Sequence, residues 1–296
     1  MKPNFFIIGA PKCGTTALNE YLKTHPNLFL STPKEPNYFG EDINRPAPRN
    51  LEAYLSLFSQ ADPLVHKAVG EATTAYLFSK KAVPEILAFN PKAKFIVMLR
   101  NPVDMLPANH SEGVYQGSED ILDFERAWRT EQENPGKRKF PNMSLVRTNQ
   151  PYAKKGMLGE QIERLFMTVP RNRVLVILFD DFISNTRQSY EDVLDFLDLP
   201  SDHRTNFPKV NPNKPIRWLW LHALLSLLRA WAAVLKGRLG TYRNFGTLKW
   251  LLRLNIGTAE RKQISDEFRR EMKDYFREDI SKLSKLLGRD LSHWVS

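Results

Sequence analysis

Residues Asn4 to Thr16 read NFFIIGAPKCGTT. Phe5 to Ile8 is a short apolar run, the mark of a strand buried on both faces. Gly9 and Gly14 follow, then Thr15 and Thr16, then a helix-like segment from Ala17 to Thr24. A strand, a glycine-bearing turn and a helix together make a phosphate cradle. The glycines let the backbone curl, its N–H groups converge, and the helix N-terminus adds partial positive charge. The glycine spacing is half of the Walker A pattern, which needs Lys directly after the second Gly. Thr15 holds that place, and the lysine lies inside the loop at Lys12. The same stretch also suits an ordinary strand-to-helix turn, so the rest of the chain has to decide.

The chain has 296 residues. That length suits one domain over 1–296, with an α/β core at 4–205. Residues 206–296 then supply a basic loop, an apolar helix and C-terminal helices. The net charge of +10 favours anionic ligands: nucleotides, acidic polymers or an anionic lipid surface. It equally suits a generally basic solvated surface. The single cysteine, Cys13, excludes a disulfide within the chain and fits a reducing compartment. In the cradle loop it is either a reactive thiol or a small residue that fits. The start, MKPNFF, has no signal-peptide pattern. The expectation is a cytoplasmic protein, or one peripheral to the inner membrane face.

Further strands are expected at Asn27–Leu30, Ala68–Gly70, Lys94–Leu99 and Val174–Phe179. Helices are expected at Leu51–Phe58, Ala82–Phe89, from Val103 onward, at Leu158–Phe166 and at Tyr190–Leu197. Apolar strands alternating with helices argue for a central parallel sheet covered on both faces, a three-layer α/β/α fold. The loop from Asn134 to Pro151 carries Lys137, Arg138 and Lys139 and reads as exposed, with no nucleic-acid partner expected. Trp218 to Leu235 is a mostly apolar run of eighteen residues. Arg229 inside it argues against spanning a bilayer, since a central arginine costs about 2.5–3.5 kcal/mol. Its tryptophans and basic ends suit a helix lying on a membrane surface, or a face packed on the core or in a homodimer. Thr258 to Leu287 reads as a charged amphipathic helix with one break.

Ligands of open parallel sheets bind outside the carboxyl ends of the strands. Those ends carry Lys12, Gly14, Thr15 and Thr16, then Lys34 and Glu35, then Glu71, Arg100, and Asp180 with Asp181. This is an anion site with a candidate base. The histidines have no metal-ligand spacing, so no metal is expected. No G-x-S-x-G elbow is present for a hydrolase.

The stretches PKCGTTAL, KEPNYF, GEATTAY, KFIVMLRNPVD, VLVILFDDFISN and LLGRDLSHW resemble the sulfotransferases that use 3′-phosphoadenosine-5′-phosphosulfate (PAPS), in the heparan-sulfate and bacterial branch. The resemblance implies a P-loop-NTPase-like sulfotransferase fold. It implies that Lys12, Cys13, Gly14, Thr15 and Thr16 hold the 5′-phosphosulfate end of PAPS, with no metal required. Lys12 would neutralise the leaving phosphate. Arg100 would grip the 3′-phosphate, and Glu35 would deprotonate the acceptor. Lys34 and Glu71 would line the acceptor side, and Lys214 and Arg217 would close over the donor. The acceptor would be a glycan, a glycolipid or a small molecule.

Three positions depart from the family pattern. Ala108 stands where a serine usually meets the 3′-phosphate, with Ser111 or Asn109 as substitutes. Asn37 replaces a histidine, and Ala72 replaces a lysine. Two other readings stay open. One is a PAPS-binding protein without turnover. The other is a nucleotide kinase on the related scaffold, which the loop composition disfavours.

Overall fold

The structure is a computed structural model describing residues 1–43, 45–116, 118–133, 151–210 and 263–296. Among the described residues, five strands form one sheet: β1 (Phe5–Gly9), β2 (Leu28–Leu30), β3 (Ala68–Ala72), β4 (Lys94–Leu99) and β5 (Val174–Leu178). Their order is β2-β3-β1-β4-β5, and every pair is parallel. The helices are α1 (Thr15–Leu22), α2 (Leu51–Ser56), α3 (Ala82–Phe89), α4 (Pro102–Gln116), α5 (Phe124–Glu133), α6 (Tyr152–Gly156), α7 (Leu158–Thr168), α8 (Phe179–Ser184), α9 (Thr186–Phe196) and α10 (Asp266–Leu287).

The central strands are apolar because both of their faces are covered. All of β1 and β3 are buried, as is β4 after Lys94. β5 is an edge strand, and its first three residues are only half-buried. After β1 the chain goes to β2 and β3 on one side; after β4 it goes to β5 on the other. The crevice between the carboxyl ends of β1 and β4 is therefore the switch point where such sheets take ligands. It opens between Gly9 and Arg100.

The strand and helix positions expected from the sequence are found, with shifted ends. α1 starts at Thr15, not Ala17, because Gly14 takes the N-cap position at φ 88. A Cβ at Gly14 would come within 3.2 Å of the Phe182 ring and 3.3 Å of Met98 Cε. β3 runs on to Ala72, since Ile7 pairs with it, and so draws Glu71 into the sheet. β5 stops at Leu178, and α8 begins at Phe179. α9 begins earlier than Tyr190, because the Asn185 side chain accepts from the Gln188 N–H and caps it. Of the tail helix, Asp266–Leu287 is described; it runs from a Ser265 cap to Gly288 at φ 63. Phe268, Met272, Phe276, Ile280 and Leu283 form its buried stripe. Asp279 on the same helix accepts from the Gly159 and Glu160 N–H groups, capping α7 at 2.7 and 3.0 Å.

Candidate active site

The cradle is built at the end of β1. Leu18 N–H bonds the Gly14 carbonyl, so the N–H groups just before it have no partner within α1. The Lys12 backbone has φ 61, the left-handed region that a residue with a Cβ rarely occupies. Glu35 and Asn37 share this feature, at φ 60 and 53. Such residues each cost on the order of 1–3 kcal/mol and collect at functional sites. Asp198 and His203 also adopt it, away from the cradle, so this conformation alone decides nothing.

Cys13 is fully buried, and burial pushes its thiol up to about 12 against the opposing pull of Arg100. It stays protonated at neutral pH, and Sγ donates to the Pro11 carbonyl at 3.3 Å. Of the two expectations for Cys13, the structure supports the small residue that fits.

Two lysines meet the cradle. Lys34 Nζ lies 3.3 Å from both Thr15 Oγ1 and Thr16 Oγ1, and 3.7 Å from Glu35 Oε1. Burial lowers the Lys34 pKa, opposed by Glu35 and reinforced by Lys12. Lys12 Nζ lies 3.2 Å from Glu112 Oε2 on α4. Glu35 is held from both sides. Its Oε1 accepts from Thr74 Oγ1 at 2.8 Å, and its Oε2 from Arg45 Nη1 at 3.1 Å. The Glu35 N–H also bonds the Ala72 carbonyl at 2.9 Å, fixing this loop to the end of β3.

Arg100 ends β4. Its Nη1 reaches the Lys12 carbonyl at 3.5 Å, and its guanidinium lies 4.7 Å from the centre of the Phe179 ring. The C-terminal turn braces this wall. Asn101 Nδ2 donates to the Trp294 carbonyl at 2.9 Å, and Trp294 Nε1 donates to Asp180 at 3.1 Å. Asp181 pairs with Arg289 at 3.0 Å. Asp180 and Asp181 thus secure the C-terminus behind the crevice.

Comparison with known proteins gives the family. The family described as "Sulfotransferase domain" matches residues 2–211. The chain belongs to the sulfotransferase domain family. A mouse carbohydrate sulfotransferase 15 is 33% identical over 149 residues, which is 36% of this chain and 27% of that protein. A mouse heparan sulfate glucosamine 3-O-sulfotransferase 3B1 is 26% identical over 199 residues, covering 67% of this chain and 46% of that protein. The chain thus spans well under two thirds of the length of these curated relatives. A crystal structure of a sulfotransferase from Alicyclobacillus acidocaldarius superposes with a TM-score of 0.69 at 26% identity, covering 100% of both chains.

Within this sulfotransferase fold, Lys12, Gly14, Thr15, Thr16, Lys34 and Glu35 lie together, with Arg100 beside them. Glu71 does not line an open acceptor face, and that expectation is corrected. It is 0% exposed, and its carboxylate accepts from Tyr54 at 2.6 Å, Thr73 at 2.6 Å and Tyr76 at 3.2 Å. The reason is strand register: Glu71 pairs with Phe6 in mid-sheet. Burial raises its carboxyl from the ordinary 4.5 to about 7, against the three hydroxyl donors. A raised acid pKa means that the folded protein holds the proton more tightly. This group's contribution to stability therefore falls as pH climbs from about 4.5 through about 7. Glu71→Gln is expected to remove that slope, checked by urea unfolding at several pH values across the window. An unchanged slope would assign the pH dependence to other groups.

Ser111 Oγ donates to the Pro107 carbonyl at 2.9 Å, so its proton is already committed within α4. Asn109 Oδ1 accepts from Lys155 at 3.2 Å. Ala108 is buried at 2% exposure on the same helix. Lys214, Arg217 and the Trp218–Leu235 segment lie outside the described residues. Arg45, Thr74, Glu112 and Phe179 were missed in the sequence. Each reaches the site from a different loop or helix, and no short motif ties them to it.

Proposed function

We propose that this protein moves a sulfuryl group from PAPS to an acceptor hydroxyl or amine on a carbohydrate or glycolipid. The observation that carries the reading is the convergence of Lys12, Lys34 and Glu35 on one backbone cradle, with Arg100 on its far wall. The donor set suits a nucleotide carrying anionic groups at both ends. The α1 N-terminus and Lys12 take the phosphosulfate end. Arg100 takes the 3′-phosphate through its planar fork. Glu35 accepts the acceptor's proton as the acceptor oxygen or nitrogen bonds to sulfur. Lys12 meets the charge left on the phosphate oxygen as the old sulfur–oxygen bond breaks. The reaction needs no metal.

Carbohydrate acceptors are named for the relatives above, and the net charge of +10 suits an acidic glycan. Among the described residues, no helix is long and apolar enough to cross a membrane. A cytoplasmic site of action, with peripheral membrane or homodimer contact through Trp218–Leu235, belongs to the same proposal. Co-sedimentation with anionic liposomes tests the first contact and sedimentation equilibrium the second. The acceptor itself is tested by offering labelled PAPS with pooled glycans and glycolipids. Transfer to none of them would overturn the enzymatic reading.

Ala108 favours a second reading, in which the fold binds PAPS but does not turn it over. A missing hydrogen bond to a charged group is worth about 1.5–3 kcal/mol. Ala108→Ser is therefore expected to tighten binding of the desulfated donor, 3′-phosphoadenosine-5′-phosphate, by about tenfold or more. Titration calorimetry reads this directly. No gain would show that another residue already serves the 3′-phosphate.

A further inference from the structure

The carboxylate that meets Lys12 comes from α4, not from the Glu35 loop. Glu112 Oε2 lies 3.2 Å from Lys12 Nζ, and Glu112 Oε1 accepts from Gln116 Nε2 at 2.8 Å. Both side chains are partly open to solvent, at 33% for Lys12 and 40% for Glu112. Lys34 senses Glu112 as well as Lys12. Glu112 stands one turn beyond Ala108, and residues four apart share a helix face. The face that lacks a hydroxyl at 108 thus presents a carboxylate to the cradle at 112. A negative group inside an anion cradle opposes the ligand that the cradle is built for. Its position beside Lys12 calls for a role.

We propose that Glu112 is a positioning residue for Lys12. It holds the ammonium group at the α4 side of the cradle while the site is empty, and releases it to the phosphosulfate end of the donor. This rests on the PAPS reading above. A half-exposed ion pair is weak enough to exchange without a large barrier. It still sets where Lys12 waits. The donor then pays for separating the pair. Glu112 touches no reacting atom, so its removal acts through Lys12.

The test is calorimetric titration of 3′-phosphoadenosine-5′-phosphate into four proteins: the wild type, Glu112→Gln, Lys12→Met and the double variant. Glu112→Gln is expected to bind about fivefold more tightly than the wild type. In the Lys12→Met background the same substitution is expected to change affinity by less than about twofold. Melting temperatures of all four serve as the folding control, since a structural role would move those and not the coupling. Equal or weaker binding by Glu112→Gln overturns the proposal. So does an equal gain in the Lys12→Met background, which would mean direct repulsion of the donor. Loss of transfer with unchanged nucleotide binding overturns it too, because Glu112 would then be acting as a base. A wild type that binds no nucleotide sinks the PAPS reading and this inference together.

Discussion

Lys12→Ala is expected to lower the rate of sulfuryl transfer by about 10²–10³-fold while the protein stays folded. Removing one preorganised donor from a site where charge develops costs about that much. The folding side follows from exposure. The Lys12 side chain is 33% exposed, and its only described ion-pair partner is Glu112, itself 40% exposed. Pairs of that kind contribute about 0–1 kcal/mol. Alanine at a left-handed position keeps the same backbone cost as lysine. The effect should fall on the chemical step more than on ground-state binding, because the nucleotide contacts proposed for Arg100 and the α1 N-terminus do not involve the Lys12 side chain. Single-turnover transfer from labelled PAPS, beside nucleotide binding by calorimetry, separates the two. A variant that loses binding as much as rate would make Lys12 a ground-state anchor. A variant with the wild-type rate would remove it from the mechanism.

The sheet was legible because its strands are buried on both faces. FFII and, after Lys94, FIVML are apolar without interruption, and no solvent face forces alternation. Glu71 was misplaced because a charged residue at an expected strand end reads as exposed. Three hydroxyls from Tyr54, Thr73 and Tyr76 make its burial tolerable, and only the folded packing gathers them. The cradle was legible because its residues are contiguous. The partners of its charged groups were not, because Arg45, Thr74 and Glu112 are separated in sequence from Glu35 and Lys12 by loops, a strand and a helix. The family resemblance supplied roles for the contiguous motifs and was silent on these partners. The bracing of the Arg100 wall was equally hidden, since Trp294 is joined to Asn101 and Asp180 only through the fold.

Glu35→Gln is expected to cost about 10²–10⁴ in the rate of transfer, the range for losing a general base. The site makes this substitution informative, because glutamine is nearly the same size and keeps an acceptor oxygen. Thr74 Oγ1 now donates to Oε1, and Arg45 Nη1 to Oε2. A glutamine can preserve only one of these contacts with its carbonyl oxygen, and its NH₂ group then faces the other donor. If the amide oxygen stays with Arg45, the amide nitrogen meets the Thr74 hydroxyl, which can rotate and accept. The loop is thereby kept in place, and what is lost is the ability to take a proton. The measurement is the acceptor dependence of transfer, with nucleotide affinity as the control. A lowered kcat with unchanged nucleotide binding supports the base. Full activity in Glu35→Gln would remove Glu35 from that role and leave Glu112 as the remaining carboxylate paired with a cradle lysine. The same assay on Arg45→Ala then separates base from scaffold. Arg45 holds Glu35 without being able to receive a proton, so losing it should weaken acceptor use less than losing Glu35 itself.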